Sequence, residues 1–164
     1  MKKAFEPIAN FASKILILGT MPGEKSLLLQ QYYGNRGNQF WRLLFSVYNE
    51  EPKVDYPDKI KFLTDNNIAL WDVLQYCERE GSLDSNIKNE VANDFKSFYK
   101  SYPAIKKVFF SSKNAAAYYK KYVGEREDIE YHVLPSPSGA NATMSFAQKL
   151  EIWREKLNSH PKTT

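Results

Sequence analysis

The sequence predicts an α/β fold, a three-layer α/β/α sandwich with a central, mainly parallel four-stranded sheet. Two observations predict it. Short apolar runs that end in turn residues alternate along the chain with segments of helical periodicity. The runs are apolar almost throughout, as expected for parallel strands that helices cover on both faces. The chain has 164 residues, of which 43% are hydrophobic and 26% charged, and this composition predicts a single domain over residues 1–164.

Each predicted element has a local reason. The strands are four apolar runs, each followed by a turn signal, at residues 14–19, 67–72, 106–111 and 130–135. The helices are segments in which apolar residues recur at helical spacing, at residues 38–48, 56–64, 91–99, 114–122 and 145–157. Residues 52–58 form a turn-rich connection within the domain, and the tail at 159–164 is expected to fray.

The composition also limits the possible functions. The formal net charge is +4, which permits a nucleic acid or another polyanion as partner without requiring one. Cys77 is the only cysteine, which excludes an internal disulfide and a cysteine-ligated zinc or iron–sulfur site. The N-terminus lacks the apolar region of a signal peptide, and no window is long enough to span a membrane. We therefore expect a cytoplasmic protein.

Two segments that follow predicted strands are candidates for binding, because ligands of open α/β sheets lie beyond the carboxyl ends of the strands. In GTMPG, residues 19–23, two glycines and a proline let the main chain turn sharply and approach a ligand closely. In PSPSGAN, residues 135–141, prolines stiffen the loop and hydroxyls line it. Either could be a plain turn when taken alone. On one parallel sheet, together they predict two walls of a cleft.

Four motifs together resemble a known family. They are ILILGTMPGEKSL, QYYGNRGNQFW, LWDVLQYCEREGSLDSNI and LPSPSGANA, and they span residues 15–142 in the family's order. The chain resembles the uracil-DNA glycosylase superfamily, and within it the DNA-deoxyinosine (hypoxanthine-DNA) glycosylase branch, next to the mismatch-specific uracil glycosylases. The resemblance implies an enzyme that flips a damaged base out of double-stranded DNA and hydrolyses its N-glycosidic bond, without metal or cofactor. We expect a monomer that is nucleoid-associated when bound to DNA, and no protein partner can be inferred.

One departure from the family concerns the attacking water. Met21 stands where the mismatch uracil glycosylases have the asparagine that orients this water, and a thioether cannot accept a strong hydrogen bond. The resemblance assigns this role to Asn38 instead. Asn38 also precedes a predicted helix, where asparagine is a favoured N-cap whose substitution costs about 1 kcal/mol. The two roles are compatible, since a cap holds the side chain in one rotamer.

The resemblance also implies residues that bind the flipped base. Tyr33, aligned through Gly34, is the ring on which the base stacks, which is worth roughly 1–3 kcal/mol. Asp72 follows the second strand, where a carboxylate can accept a purine N–H, act as a general base, or simply cap the next turn. The neighbouring Phe40 and Trp41 are predicted to pack in the core. The remaining base-binding candidates are Gly19, Thr20 and Met21.

The expected mechanism follows from the chemistry of the bond. Cleavage passes through an oxocarbenium-like sugar, so it needs a placed water and a stabilised leaving group more than a strong nucleophile. Asn38 is predicted to hold the water through its carbonyl, and Ser136 with nearby loop amides to bind the departing base. No lysine is evidently placed to form a Schiff base. A monofunctional hydrolase that leaves an abasic site is therefore predicted.

DNA contacts are expected outside the base pocket. Arg36 and Arg79 are natural phosphate ligands, although single surface arginines are commonly just solvated. Arg36 lies within Asn35-Arg36, where the branch usually has His-Pro. The remaining DNA-binding candidates are Ser138, Gly139, Ala140 and Asn141. Related mismatch enzymes carry a larger apolar wedge residue after this glycine, so Ala140 followed by Asn141 leaves wedge insertion from this loop open.

Alternative functions remain. The lesion could be uracil or another deaminated base in a mispair rather than deoxyinosine. Met21 also leaves open a catalytically inactive module that binds DNA lesions. An unrelated Rossmann-like protein for a small phosphorylated ligand is disfavoured, because the P-loop and G-x-G-x-x-G signatures are both missing.

Overall fold

The computed structural model describes residues 1–141 and 143–158, so the expectation for the tail at 159–164 lies outside the described residues. The strands are β1 (Lys2–Lys3), β2 (Ile15–Gly19), β3 (Ile68–Asp72), β4 (Leu74–Glu78), β5 (Lys88–Ala92), β6 (Lys107–Phe110) and β7 (Glu130–Val133). The helices are α1 (Glu24–Leu29), α2 (Phe40–Val47), α3 (Tyr56–Asp65), α4 (Phe95–Ser101), α5 (Lys113–Tyr122) and α6 (Phe146–Leu157).

The central sheet has the strand order β3-β2-β6-β7, and all three pairings are parallel. These are the four predicted strands, so the predicted sandwich is confirmed. In the register of the sheet Gly19 lies opposite Asp72, and Leu18 lies opposite Phe110. The carboxyl ends of the strands therefore meet along one edge, and the segments that follow them are brought together there.

The core lies on both faces of this sheet. Along β2 the side chains alternate: Ile15 and Ile17 pack in one buried cluster, and Leu16 and Leu18 in the other. The first cluster contains residues of α2, α3 and α6, and the second contains residues of α4 and α5. Helices thus cover both faces, which explains why the strand sequences are apolar at consecutive positions.

A second, smaller sheet was not predicted. Strands β1, β4 and β5 pair antiparallel in the order β1-β4-β5. These strands are short and largely polar, so they carry no apolar run that marks a strand. Residues 91–92, which were predicted to begin a helix, instead end β5. Helix α4 begins later because the Asp94 side chain accepts a hydrogen bond from the backbone N–H of Ser97 and caps it.

Helix α1 was also not predicted. It follows GTMPG directly, and its sequence EKSLLL shows no helical periodicity. Leu28 in this helix is 76% exposed. The helix is nevertheless tied to the site, because the buried hydroxyl of Ser26 accepts a hydrogen bond from the backbone N–H of Gly34 at 2.9 Å.

Candidate active site

A cleft of about 1200 Å³ opens at the carboxyl ends of the central strands. Its lining combines residues that follow all four strands, so segments far apart in the sequence share one site. They come from the GTMPG segment, from Asp72, from Ser111 to Asn114 and from the loop after β7. The Tyr33 to Asn38 turn and the Ser82 to Asp84 turn complete the walls. The predicted cleft between GTMPG and PSPSGAN is therefore present.

The floor of the cleft is formed by Gly19, Tyr33, Asp72 and Ser111, which lie in close contact. A Cβ atom on Gly19 would lie 2.7 Å from Asp72 Oδ1 and 3.0 Å from the Tyr33 hydroxyl. The Tyr33 hydroxyl is 2.9 Å from Ser111 Oγ, which in turn donates to the Leu18 carbonyl at 3.3 Å. Only glycine leaves room for this arrangement at position 19.

Asp72 is the ionisable group of this floor. Its side chain is buried, and Oδ2 has no hydrogen-bond partner among the described residues. Burial and the nearby negative charge of Asp84 raise the pKa of Asp72 to about 7, and the positive charge of Arg79 opposes this rise. The carboxylate does not cap the following turn, because the backbone N–H groups of Val73 and Leu74 donate to the Gly19 and Thr20 carbonyls instead. One buried carboxylate oxygen, Oδ2, is therefore available to a ligand.

Tyr33 presents a ring to the same cleft. The residue has a left-handed backbone with φ of 54°. Its ring stacks on Phe40 with a centroid distance of 3.8 Å and an interplanar angle of 4°. Phe40 covers one face of the ring, which leaves the opposite face as the candidate stacking surface. Burial raises the pKa of the Tyr33 hydroxyl, so the ring remains neutral at ordinary pH.

The neighbouring aromatic residues support this ring from the core, as predicted. Phe40 and Trp41 are both buried, and Trp41 Nε1 donates to the Tyr32 carbonyl at 3.0 Å. Tyr32 is buried too, and its hydroxyl donates to the Glu6 carbonyl at 2.8 Å. In the aromatic motif Phe40 and Trp41 therefore lie in the core, Tyr33 lines the cleft, and Tyr32 is buried in the core and also lines the cleft.

Asn38 lies in the cleft wall between Tyr33 and α2. Its Oδ1 accepts a hydrogen bond from the backbone N–H of Phe40 at 2.9 Å. The N-cap residue of α2 is Gln39, so the helix begins two residues later than predicted. The predicted capping function is nevertheless recognisable, since the Asn38 side chain satisfies the first N–H of the helix. A carbonyl oxygen has two lone pairs, and the second remains for a water molecule.

Two further candidates from GTMPG have defined environments. Met21 is buried in the α4 and α5 side of the core and also lines the cleft. Thr20 is buried, and its hydroxyl lies 3.2 Å from Ser112 Oγ. Met21 thus contributes apolar surface to the cleft, which agrees with the chemistry expected of a thioether.

The loop after β7 forms the facing wall. The backbone N–H of Ser138 donates to Ser136 Oγ, and that of Ala140 donates to Ser138 Oγ, each at 3.2 Å. Asn141 Nδ2 donates to the Ser136 carbonyl at 3.2 Å. The amides of Ser138 and Ala140 are therefore already used within the loop. The Ser136 hydroxyl still has its own hydrogen to donate.

This loop docks closely on the Asn38 turn. The backbone N–H of Gln39 donates to the Pro137 carbonyl at 2.8 Å. A Cβ on Gly139 would lie 2.6 Å from the Gly37 carbonyl oxygen. Gly139 is a predicted DNA-binding residue, and the close approach observed in the structure is to the protein's own Gly37. The tip residue Ala140 is exposed and carries no side chain large enough for a wedge.

The two arginines that were predicted to contact phosphates have different environments. Arg36 is exposed beside the Asn38 turn and remains a candidate phosphate ligand. The Arg79 side chain is fully buried: it donates to the carbonyls of Pro22 and Gly81, and Nη1 lies 3.5 Å from Asp84 Oδ1. This burial conflicts with a phosphate contact. Arg79 instead fixes the loop after β4 against GTMPG.

Two site residues received no predicted function from the sequence. Ser111 follows β6, where strand order makes it a candidate, but only the folded chain shows that it orients the Tyr33 hydroxyl. Lys149 is 1% exposed, and its Nζ donates to Gln39 Oε1 at 2.8 Å and to the Ser138 carbonyl at 3.3 Å. A lysine within an amphipathic helix gives no sequence signal for such burial.

Metal-binding and membrane features were searched in residues 1–141 and 143–158. Within these ranges no group of three or more His, Cys, Asp or Glu side chains is arranged to hold a metal ion. None of the helices found there has the length and apolarity needed to cross a bilayer.

The fold and the cleft define the class of protein. The family model of the Uracil DNA glycosylase superfamily matches residues 7–156, which is most of the chain. The chain belongs to the uracil DNA glycosylase superfamily, and the resemblance seen in the four motifs is confirmed.

Similar proteins and a solved structure show which members of the superfamily this chain resembles. It is similar to a hypoxanthine DNA glycosylase of Methanosarcina acetivorans, with 40% identity over 152 residues, 92% of this chain and 95% of the relative. A hypoxanthine DNA glycosylase of Methanosarcina barkeri is 38% identical over 155 residues, 94% of this chain and 96% of the relative. The solution NMR structure of a candidate uracil DNA glycosylase from M. acetivorans matches with a TM-score of 0.80 and 37% identity, over 94% of this chain and 97% of that one.

Proposed function

We propose that this protein is a monofunctional DNA glycosylase that excises hypoxanthine from double-stranded DNA. The observation that carries the proposal is the buried Asp72 Oδ2, which has no hydrogen-bond partner among the described residues, on the floor of a cleft that also presents the Tyr33 ring. The names of the two Methanosarcina relatives support the same substrate.

The Asp72 carboxyl suits a base with a lactam N–H. Hypoxanthine carries a hydrogen on N1, whereas N1 of adenine has a lone pair in the same place. An ionised carboxylate accepts the former and repels the latter, and a buried polar group left unpaired strongly disfavours the wrong ligand. Uracil, guanine and thymine present a comparable N–H, so Asp72 distinguishes hypoxanthine from adenine but does not by itself separate it from these three bases. The cleft, at about 1200 Å³, is large enough for the purine.

The proposed reaction uses the facing walls of the cleft. The flipped base stacks on the open face of Tyr33, while Asn38 Oδ1 holds a water molecule with the lone pair that Phe40 leaves unused. An amide cannot take up a proton near neutral pH, so the water attacks a sugar that already has oxocarbenium character. The Ser136 hydroxyl donates to the departing base. The C1′–N bond breaks as the water oxygen bonds to C1′, the water releases one proton to solvent, and the departing base takes one proton from solvent, so the products are the free base and an abasic site.

Two lysines near the cleft, Lys149 and Lys156, are held in hydrogen bonds, whereas Lys25 and Lys113 are accessible, so hydrolysis without strand cleavage is decided by whether strand breaks need alkali. A Schiff base needs an accessible amine beside the sugar, but the buried Lys149 amine donates to Gln39 and Ser138. The Lys156 amine donates to the Val133 carbonyl at 2.7 Å. Lys25 and Lys113 line the cleft with exposed side chains, which suits contacts to phosphates.

A single chain is proposed as the functional unit. Tyr33, Asn38, Asp72 and Ser136 all line one cleft of one chain, so the proposed reaction needs no residue from a second copy. This supports a monomer on double-stranded DNA.

The test is a duplex with a single labelled deoxyinosine, incubated with the protein and then divided into two samples. Strand breaks that appear only after alkali are expected from a monofunctional glycosylase. Breaks without alkali would contradict the monofunctional mechanism, and retarded mobility without breaks would identify an inactive lesion-binding module. Parallel duplexes with uracil opposite guanine, and with an undamaged adenine, compare the bases directly.

A further inference from the structure

Lys149 is the buried cation that the proposed reaction does not use. It lies in α6, is 1% exposed, and its pKa is lowered by burial. Its hydrogen-bond acceptors are neutral: Gln39 Oε1 at 2.8 Å and the Ser138 carbonyl at 3.3 Å. No carboxylate of the described residues is within ion-pair distance of it. A buried ammonium without an acidic partner opposes folding, so stability does not explain this side chain.

The two acceptors belong to the two facing walls of the cleft. Gln39 directly follows Asn38 and is the N-cap of α2. Ser138 lies two residues after Ser136, and its backbone N–H donates to Ser136 Oγ. The Lys149 amine therefore joins the segment that carries the proposed water ligand to the segment that carries the proposed leaving-group donor.

Other contacts show that this junction is closely fitted. The Gln39 N–H to Pro137 carbonyl bond and the close approach of Gly139 to Gly37 lie in the same interface. From α6, the buried Trp153 donates through Nε1 to the Pro135 carbonyl at 2.9 Å. Helix α6 thus donates to carbonyls of the loop after β7 from Lys149 and Trp153, and among the described hydrogen bonds the one from Lys149 also reaches Gln39, next to Asn38.

We propose that Lys149 is a positioning residue, whose amine fixes the distance between Asn38 and Ser136. The inference rests on the proposed glycosylase function. A misplacement of about 1 Å of a catalytic group can lower a rate about 10²-fold, so a tie between the two walls matters even though Lys149 does not line the cleft.

The decisive variant is Lys149→Met, which keeps the length and apolar stem of the side chain and removes the amine. We expect a single-turnover excision rate about 10²-fold lower on a deoxyinosine duplex, with duplex affinity within about threefold of the parent's. Thermal unfolding should show a melting temperature equal to or above that of the parent, because an unpaired buried charge is removed. A merely structural role would give the opposite result, with reduced stability and an unchanged rate for the folded fraction.

The matched control is Arg154→Met in the same helix. Arg154 also donates to a backbone carbonyl, that of Ser46 at 2.8 Å, but at the far end of α2. This variant should excise at the parental rate. Equal rates for Lys149→Met and Arg154→Met would overturn the proposal.

A second pair of variants tests the partner of the amine. Gln39→Leu should lower the rate as Lys149→Met does, and the double variant should be no slower than either single one, since both remove one interaction. Gln39→Glu keeps an acceptor and should retain most of the activity. If the rate losses of Lys149→Met and Gln39→Leu were fully additive in the double variant, the two residues would not act through one hydrogen bond. If the parent itself does not excise hypoxanthine, the proposed function fails; if the parent excises and Lys149→Met does too, only this inference fails.

Discussion

The Cα of Gly19 lies so close to the Asp72 carboxylate that a Cβ at position 19 would be 2.7 Å from Oδ1. The two residues are paired across β2 and β3 in the register of the central sheet. The end of one strand is therefore shaped to leave room for the carboxyl at the end of the next. The Tyr33 hydroxyl, 3.0 Å from the same Cβ position, depends on the same space.

The first prediction concerns this space. Gly19→Ala should destabilise the protein by about 1–3 kcal/mol through overpacking and should abolish most excision, because Asp72 and Tyr33 are displaced together. Urea unfolding and single-turnover excision measure the two effects. Gly124→Ala is the control, since Gly124 has a φ of 84° and a Cβ added there would meet no atom within 4 Å. This variant should lose stability through backbone strain and keep its activity. Parental activity in Gly19→Ala would show that the close packing is not needed.

The second prediction follows from the raised pKa of Asp72. The folded state holds this proton more tightly than the unfolded chain, so the associated stability is fully present below about pH 3.8 and is lost as the pH rises through about 7. The amide in Asp72→Asn does not ionise, so this variant does not lose that stability as the pH rises. At pH 8 the variant should be more stable than the parent by on the order of 4 kcal/mol, with the difference shrinking toward pH 4.

Urea unfolding at several pH values measures this difference. Asp128→Asn is the control, because Asp128 is an exposed carboxylate paired with Lys106 at 3.3 Å and its pKa is lowered. That variant should gain no stability as the pH rises. A pH-independent difference between Asp72→Asn and the parent would show that Asp72 is ionised throughout the range.

The third prediction is the pH dependence of excision. If the ionised Asp72 accepts the lactam N–H, the single-turnover rate at low enzyme concentration should rise with pH through about 7. Asp72→Asn should lose this step, because an amide does not titrate there. A profile in the parent that falls through the same range would instead indicate that the protonated carboxyl is the active form.

The central sheet could be predicted because its strands are buried on both faces. Ile15 to Leu18 must all be apolar when helices cover both sides of β2. The second sheet could not be predicted by the same rule. In β5 the residues Lys88 to Ala92 are half-buried or exposed, so their sequence carries neither a continuous apolar run nor a helical period. Antiparallel pairing of β5 with β4, the strand before it in the chain, decides their conformation.

The site was predictable to the extent that strand ends mark it. Asp72 and the GTMPG and PSPSGAN segments follow strands, and the parallel register brings them to one edge of the sheet. Arg79 and Lys149 could not be predicted in this way. Both are long cationic side chains, which are ordinarily exposed. Only the folded backbone shows that carbonyls point at them from GTMPG and from the loop after β7.

The fourth prediction tests the stacking ring. Tyr33→Leu should lower the excision rate roughly 5- to 150-fold, which corresponds to about 1–3 kcal/mol of base stacking. Tyr33→Phe is the matched control: it keeps the ring against Phe40 and loses only the hydroxyl contact to Ser111, so its loss should be smaller. Single-turnover rates on a deoxyinosine duplex measure both. Equal excision rates for Tyr33→Leu and Tyr33→Phe would show that the flipped base does not stack on Tyr33.

The fifth prediction tests Asn38, whose side chain is proposed to hold the water. Asn38→Ala should lower the single-turnover rate about 10²-fold or more, because a positioned group that activates a nucleophile contributes 10²–10⁴-fold. It should also cost about 1 kcal/mol of stability, since the N–H of Phe40 loses its acceptor. Asp94→Ala separates the two effects, because Asp94 accepts from the Ser97 N–H at the start of α4, away from the residues that line the cleft. That control should lose similar stability and keep the parental rate. If Asn38→Ala excises as fast as Asp94→Ala, another group positions the water, and Ser136 becomes the next residue to test.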